Sequence, residues 1–368
     1  MSKLHIPYVD LAAQYAEERA ELLPIVDRIL SSGGYVGGEV IDRLEGKLAA
    51  LCRTKHAVVL NSGTDALILG MRALGIGAGD EVITPPNSFV ASTAAIVHLG
   101  AKPVFADVLP DQNIDPERIA AAITPRTKAI MPVHLTGRVA DMDPIMDLAQ
   151  RHGLFVIEDA AQSIGSTYRE RPAGSFGDVG CFSTHPLKNL NGVGDGGFMT
   201  TNRDDVAASV RLLRNHGLAD RNTVTEFGFV SRMDTLQAAV LEFRLGRLDD
   251  IIQKRRANAA RYRSLLDTRH VFMAPDRQIE FNTHHTFIIQ TEQRDALQQH
   301  LTEQGIGTAI HYPVPIHLQP AANTLGYGRG DFPVTERQAE RILTLPVNQS
   351  LTAAQIDRVG DVINQFFG

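Results

Sequence analysis

The first two thirds of the chain alternate short, unbroken apolar runs with longer segments of helical periodicity. The apolar runs lack polar alternation and end in Gly, Pro or polar residues, which is typical of buried parallel strands, although a short buried helix has the same pattern. Helical patterns such as Thr64–Leu74 and Met142–Arg151 separate several of the runs. Strands alternating with helices predict an α/β sheet with right-handed crossovers. The predicted strands are His56–Leu60, Glu81–Thr84, Pro103–Asp107, Ala129–Val133, Leu154–Ile157, Val179–Ser183 and Gly197–Thr201.

Near Arg232 the pattern changes to one long helical stretch, Met233–Arg263, which is rich in Ala, Leu and Arg. We therefore predict a large domain over residues 1–250 and a smaller C-terminal domain over residues 251–368. The second domain is expected to contain two apolar segments and a last helix: Thr286–Gln290, Thr308–Tyr312 and the helix from Ala353.

Composition narrows the class of protein. The 368 residues include 42 acidic and 36 basic side chains, a net charge of −6, and 43% hydrophobic residues, which fits a globular chain and argues against disorder. The absence of a basic block argues against a nucleic-acid partner. Two distant cysteines, Cys52 and Cys181, favour a reducing cytoplasmic location. The longest uncharged run, Val82–Ala101, contains Pro and Asn, so we expect no membrane span.

Ser62-Gly63-Thr64 lies between a predicted strand and a predicted helix. Exposed N–H groups at a helix start bind phosphate, and a glycine lets the backbone approach the ligand closely. An ordinary strand–turn–helix with a Ser or Thr cap has the same pattern.

Asp159 lies at the carboxyl end of the predicted strand Leu154–Ile157, two residues after its last residue. Ligands of doubly wound sheets bind at the carboxyl ends of strands, and a buried carboxylate needs a partner such as a cationic ligand nitrogen. The alternative is a capping or turn aspartate.

Lys188 follows Asp159 by 29 residues and lies in a loop between two predicted strands. A lysine in a loop is usually a solvated surface charge. The glycine-rich run Gly192–Gly197 is followed by a strand rather than a helix, so it is not a dinucleotide-binding fingerprint. Lysine, aspartate and phosphate cradle together are the protein's parts of a pyridoxal phosphate (PLP) site.

With these motifs in order along nearly the whole chain, the sequence resembles the DegT/DnrJ/EryC1/StrS sugar aminotransferases, a branch of PLP fold type I. The resemblance implies a large domain with a mostly parallel seven-stranded sheet flanked by helices, and a smaller C-terminal α/β domain. The motifs that carry it are Ile6–Leu11, Gly38–Val40, Asn61–Leu67, Gly79–Pro85, Val133–Gly137, Glu158–Ser163, Lys188–Leu190, Ser231–Asp234 and His311–Gln319.

The resemblance also implies roles at the cofactor. Lys188 matches the Schiff-base lysine and proton shuttle, Asp159 the partner of the pyridine nitrogen, and Gln162 the residue beside the 3′ oxygen. Phe89 matches an aromatic over the cofactor ring, with an ordinary core phenylalanine as the alternative. The expected phosphate ligands are Ser62, Gly63, Thr64 and Ser183.

Substrate residues are less specified by the resemblance. His185 precedes Lys188 by three residues and could face the substrate, although a packed or backbone-bonded histidine is the alternative. Arg232 could hold an anionic substrate group across a subunit interface. No metal site is expected, because His311 and His317 flank a Pro-rich turn without a helix-spaced pair or a carboxylate cluster nearby. The full set of expected substrate residues is His185, Arg232, His311, Tyr312 and His317.

One position departs from the family pattern. The family reads Gly-x-Asn-x-Arg before the long helix, and that Asn contacts the phosphate of the neighbouring subunit's cofactor. This chain has Gly228-Phe-Val-Ser-Arg232, with Val230 in place of the Asn. Valine cannot donate a hydrogen bond, so this contact is lost or another donor replaces it.

The resemblance implies a homodimeric aminotransferase that moves an amino group from an amino acid, L-glutamate, to a nucleotide-linked 3- or 4-keto-deoxysugar. PLP and its pyridoxamine form would alternate in the cycle. Three alternatives remain: a sugar dehydratase of the same family, a non-catalytic PLP-binding regulatory protein, and a nucleotide-binding enzyme without PLP. Such dehydratases carry histidine at the lysine position, so Lys188 argues against the first.

Overall fold

The computed structural model describes residues 5–368. Its α-helices are α1 Leu11–Ser32, α2 Glu39–Cys52, α3 Gly63–Ala73, α4 Val90–His98, α5 Pro116–Ala122, α6 Met142–His152, α7 Asp204–Leu213, α8 Thr235–Leu245, α9 Leu248–Leu265, α10 Arg294–Glu303, α11 Pro333–Arg341 and α12 Ala353–Phe367. Its strands are β1 His56–Leu60, β2 Glu81–Thr84, β3 Lys102–Phe105, β4 Thr127–Ile130, β5 Phe155–Asp159, β6 Thr167–Tyr168, β7 Arg171–Pro172, β8 Val179–Ser183, β9 Gly197–Thr201, β10 Glu280–Phe281, β11 Phe287–Gln290 and β12 Ile342–Leu345.

A seven-stranded sheet in the order β1-β9-β8-β5-β4-β2-β3 forms the centre of the molecule. The strands from β8 to β3 pair in parallel, whereas β9 runs antiparallel to both of its neighbours. This confirms the predicted α/β fold with a mostly parallel sheet. The predicted strands are all present, with ends displaced by a few residues: the fourth ends at Ile130 rather than Val133, and the fifth extends to Asp159.

Apolar clusters cover both faces of this sheet. Successive residues of β1 point to opposite faces, so Val58 and Leu60 pack with α3 and α7 while Ala57 and Val59 pack with α2. Strands buried on both sides need apolar residues at every position, which explains the unbroken runs in the sequence.

The predicted helix Met233–Arg263 is wrong as a single element. The chain forms α8 and α9, separated at Gly246 and Arg247. Glycine has the lowest helix propensity after proline, which favours the end of α8 at Gly246. Of the two apolar segments expected in the C-terminal part, Thr286–Gln290 contains β11, whereas in Thr308–Tyr312 only Ala309 makes an isolated bridge, to Thr344. β11 pairs instead with β12, antiparallel.

A third apolar cluster joins the two ends of the described chain. Ile6 packs there with Tyr262 of α9, Phe287 of β11 and Ile356 of α12. The first residues of α9, in contrast, belong to the cluster beneath the large sheet, which includes Ile252. Helix α9 therefore contributes to both cores, and the division at residue 250 stays a prediction.

Within residues 5–368, none of the helices combines the length and the apolar character needed to cross a lipid bilayer.

Candidate active site

A cavity of about 320 Å³ opens beside the carboxyl ends of β5 and β8 and the start of α3. The rest of its lining comes from the chain before α1, from α9 and from the segments after β10. It brings together most of the site residues expected from the sequence: Ser62, Gly63, Thr64, Phe89, Asp159, Gln162, Ser183, His185, Lys188, His311 and Tyr312.

One end of the cavity is the N-terminus of α3. The Ser62 hydroxyl caps the helix by accepting a hydrogen bond from the Asp65 N–H at 3.0 Å, as in an ordinary strand–turn–helix. The first N–H groups of the helix, from Gly63 and Thr64, have no intrahelical acceptor and can bind an anion. A Cβ on Gly63 would lie 2.8 Å from Cβ of Ser183, so only glycine allows this close approach between α3 and β8.

Asp159 lies at the end of β5 and is buried. Its carboxylate accepts hydrogen bonds from the Ser92 hydroxyl at 2.6 Å and from the Ala161 N–H at 3.2 Å. Burial raises the pKa of Asp159, and these hydrogen bonds and the nearby charge of Lys188 only partly oppose the effect. A cationic ring nitrogen beside this carboxylate would stabilise its charged form.

Lys188 lies in the loop after β8 and is half-buried. Burial lowers the pKa of its amine to about 8, against the opposing charge of Asp159. A larger fraction of the amine is therefore neutral near pH 7 than for an exposed lysine, and the neutral amine is the nucleophile.

A buried polar network fixes the loop that carries Lys188. Arg244 donates to Glu18 at 2.7 and 2.9 Å and to the carbonyl oxygens of Asn191 and Gly192 at 2.8 and 3.1 Å. The Asn191 amide also exchanges hydrogen bonds with Gln14 of α1. These contacts tie the loop to α1 and α8.

Gln162 is held in one orientation. Its Oε1 accepts from the Thr136 N–H at 2.9 Å, and its Nε2 donates to the Tyr312 hydroxyl at 3.4 Å. The ring of Phe89 lies 5.8 Å from the ring of Tyr312, centroid to centroid. Phe89 is 57% exposed, which excludes the alternative of an ordinary core residue.

Two further expected residues line the cavity but are partly engaged elsewhere. His185 Nδ1 accepts a hydrogen bond from the Leu187 N–H at 3.3 Å, which matches the backbone-bonded alternative. His311 Nδ1 lies 2.9 Å from Oγ1 of Thr344. Burial, together with the charge of Lys188, lowers the pKa of His311 to about 4, so this ring is neutral at pH 7.

Arg232 and His317 do not line the cavity of this chain. Arg232 donates to the Asn215 side chain at 3.1 Å. His317 is 2% exposed, lies 3.1 Å from a Glu336 carboxylate oxygen and packs edge-on against Phe332. The short turn that contains His317 directs the side chain into the protein, so the structure does not support its expected contact with substrate.

The cavity also contains residues that sequence reasoning missed, namely Tyr8, Arg255 and His285. Arg255 continues the buried stripe of α9, with Ile251, Ile252, Asn258 and Tyr262 at helical spacing. A cationic residue on the buried face of a helix is the signal that could have singled it out. No group of His, Cys, Asp or Glu within residues 5–368 is arranged to hold a metal ion.

The donor set fits PLP. The α3 N-terminus offers N–H groups to a phosphate, Asp159 a carboxylate to a ring nitrogen, and Lys188 an amine to an aldehyde. Because Gly63 has no Cβ, the α3 N-terminus lies close against Ser183 of β8, which also lines the cavity.

Comparison with known proteins gives the same assignment. Residues 16–364 match the DegT/DnrJ/EryC1/StrS aminotransferase family. A dTDP-3-amino-3,4,6-trideoxy-alpha-D-glucose transaminase from Streptomyces venezuelae is 43% identical over 98% of this chain and 96% of its own. A pleiotropic regulatory protein from Geobacillus stearothermophilus is 40% identical over 99% of both chains. The crystal structure of S. venezuelae DesV in complex with a ketimine intermediate superposes with a TM-score of 0.96 at 42% identity, covering 98% of each chain.

Sequence, fold and cavity agree across nearly the whole chain, and we conclude that it belongs to the DegT/DnrJ/EryC1/StrS aminotransferase family and is a PLP-dependent aminotransferase.

Proposed function

We propose that this enzyme transfers an amino group from L-glutamate to the ketone of a nucleotide-linked 3- or 4-keto-deoxysugar, in the biosynthesis of an amino sugar. The observation that carries the proposal is the presence of Lys188, Asp159 and the α3 N-terminus in one cavity. A relative of 43% identity named as a transaminase of a dTDP-linked sugar supports the substrate class.

Each residue has a role in this proposal. PLP, when bound, supplies a ring that accepts electrons from the substrate carbon. Lys188 binds the cofactor through its Nζ and moves the proton at the substrate carbon, while Asp159 keeps the ring nitrogen protonated. The N–H groups of Gly63 and Thr64, with the hydroxyls of Ser62 and Ser183, hold the phosphate. Gln162, Phe89, His185, His311 and Tyr312 form the walls around ring and substrate.

A homodimer with shared active sites is part of the same proposal. Large apolar side chains are exposed near the cavity and on the segment before α8, among them Phe227 at 90%, Val230 at 56% and Phe89 at 57%. Exposed apolar groups of this kind are typical of protein–protein contacts. Arg232, which lies outside the cavity of its own chain, would then reach the site of the partner. We also propose a cytoplasmic location, on the basis of two buried free thiols.

The test uses purified holoenzyme and proceeds in two steps. L-Glutamate alone should convert the bound cofactor to its pyridoxamine form, seen as loss of its visible absorbance. A panel of dTDP- and UDP-linked 3- and 4-keto sugars should then restore the absorbance, with isotope-labelled nitrogen from glutamate recovered in the sugar by mass spectrometry. Cofactor conversion without amination of any sugar would contradict the acceptor class.

One relative is named as a regulatory protein, and the same assay distinguishes catalysis from cofactor binding alone. A regulatory protein that only binds the cofactor would hold PLP but leave its absorbance unchanged by glutamate. The lowered pKa of Lys188, close to Asp159, favours catalysis. Cofactor binding alone does not need a reactive amine.

A further inference from the structure

Arg255 is a buried cation without a carboxylate partner. Its side chain lines the cavity, yet the residue is only 6% exposed. Nη1 donates to the carbonyl oxygen of His285 at 3.0 Å, and Nε has no hydrogen-bond partner. Burial lowers the pKa of Arg255 to about 10, and only the Tyr8 phenol opposes this shift. Because burial raises the pKa of Tyr8 to about 12, that phenol is neutral at pH 7 and leaves the arginine charge uncompensated.

A buried charge that is not paired is costly, and proteins keep such groups where a ligand supplies the missing charge. Two carboxylates, Asp159 and Asp195, line the same cavity, but neither influences the pKa of Arg255. Guanidinium is planar and offers parallel N–H donors, which match the two oxygens of a carboxylate. The missing partner is therefore an anionic group of a ligand.

The position of Arg255 distinguishes between three possible anionic groups: the cofactor phosphate, the amino-acid carboxylate and the phosphates of a nucleotide sugar. The cofactor phosphate would lie at the α3 N-terminus, whereas Arg255 belongs to α9 and donates to the His285 carbonyl oxygen just before β11. Burial and the charges of Lys188 and Arg255 together hold the pKa of His285 well below its ordinary value, so both cations act on one neutral ring close to the reacting amine. In an amino acid, the α-carboxylate is bonded directly to the reacting carbon. In a nucleotide sugar, the phosphates lie on the far side of the sugar ring from the ketone.

We propose that Arg255 binds the α-carboxylate of the amino-acid donor. This inference rests on the proposed aminotransfer from L-glutamate and adds to it the residue that recognises the donor. Tyr8 and His285 line the same cavity and are both neutral, so they leave the charge of Arg255 available to the ligand. In the second half-reaction the bound sugar places no anionic group beside Arg255. Arg255 therefore affects only the first half-reaction, with the amino acid.

The test compares Arg255→Gln with Arg256→Gln in the holoenzyme. Arg256 is the next residue of α9, but it lies outside the cavity, donates to the Asn282 carbonyl at 2.6 Å and covers the Phe281 ring. Losing a charge-assisted hydrogen bond corresponds to about a 10- to 150-fold loss. We expect Arg255→Gln to reduce kcat/KM for cofactor conversion by L-glutamate by this factor, and Arg256→Gln to change it less than about twofold.

Two further measurements identify the carboxylate. 4-Aminobutyrate lacks the α-carboxylate, so its slow single-turnover rate should be the same in wild type and Arg255→Gln. Calorimetric binding of α-methyl-L-glutamate, which cannot lose an α-proton, should weaken at least about 10-fold in the same variant. Equal losses with glutamate and 4-aminobutyrate, or unchanged binding of the methyl analogue, would overturn the proposal.

The half-reaction with the keto sugar tests whether Arg255 binds the sugar nucleotide instead of the amino acid. A loss confined to the keto-sugar step would assign Arg255 to the sugar nucleotide and refute the proposal. If Arg255→Gln does not fold, Arg255→Lys decides by the same comparison, because lysine keeps the charge but not the paired donors. If wild type converts the cofactor with glutamate but aminates no sugar, the proposed acceptor fails while the Arg255 test remains valid.

Discussion

The buried pair of Arg244 and Glu18 holds the Lys188 loop, and removing its cation should destabilise the protein strongly. Arg244 is 5% and Glu18 3% exposed. Arg244→Met would leave the Glu18 carboxylate buried without its cation and two loop carbonyl oxygens without their donor. Breaking one side of a buried ion pair costs about 3–5 kcal/mol.

The chain contains a matched control one turn further along. Arg247 pairs with Glu21 of the same α1 helix, but these side chains are 34% and 62% exposed. Exposed pairs contribute about 0–1 kcal/mol, so Arg247→Met should have a small effect. We expect urea unfolding to show a free-energy loss of about 3–5 kcal/mol for Arg244→Met and below about 1 kcal/mol for Arg247→Met.

The same variants test the link to Lys188. Because Arg244 donates directly to the loop, Arg244→Met should also accelerate release of the cofactor at temperatures where the protein stays folded. Equal destabilisation by the two substitutions would refute the reasoning from burial. Strong destabilisation with unchanged cofactor release would refute the link to the loop.

Four further substitutions test the cofactor site. Lys188→Ala should abolish cofactor conversion by glutamate while the melting temperature stays near that of wild type; near-normal turnover would contradict the assignment. Asp159→Asn should retain the cofactor but slow turnover strongly, since an amide does not stabilise a protonated ring as a carboxylate does, and stopped-flow spectroscopy measures this. Gly63→Ala would bring a Cβ to 2.8 Å from Cβ of Ser183, so it should lower the free energy of unfolding by about 1–3 kcal/mol. The same substitution should weaken PLP binding in a fluorescence titration. The control Gly46→Ala, in open space within α2, should raise the free energy of unfolding by about 0.5–1 kcal/mol. Val230→Asn should slow cofactor dissociation if the phosphate lacks a donor there, and unchanged or faster dissociation would show that other donors satisfy it.

The strands were predictable because burial on both faces of the sheet demands continuous apolar runs, and the chain has such runs at β1, β2, β8 and β9. The break between α8 and α9 was not predictable from the sequence, because one glycine within a helical pattern does not by itself end a helix. The division of packing along α9 depends on contacts distant in the sequence, which a local pattern does not contain.

The two ends of the cavity were predictable for different reasons. Asp159 ends β5 and Gly63 begins the helix after β1, so topology places both at one edge of the sheet. Arg255 was missed because arginine in a helix is normally a surface residue. His317 belongs to the same family motif as His311, but its side chain is buried against Glu336 and Phe332, contacts that the motif does not contain.

The course of α9 has a consequence for how the protein melts. One end of this helix belongs to the core beneath the large sheet and the other to the core that also contains Ile6 and α12. Melting either core would expose part of a continuous helix whose remaining turns still pack on the other, and helix formation is cooperative. The two cores should therefore lose structure in one cooperative transition, with the beginning and the end of the chain released together.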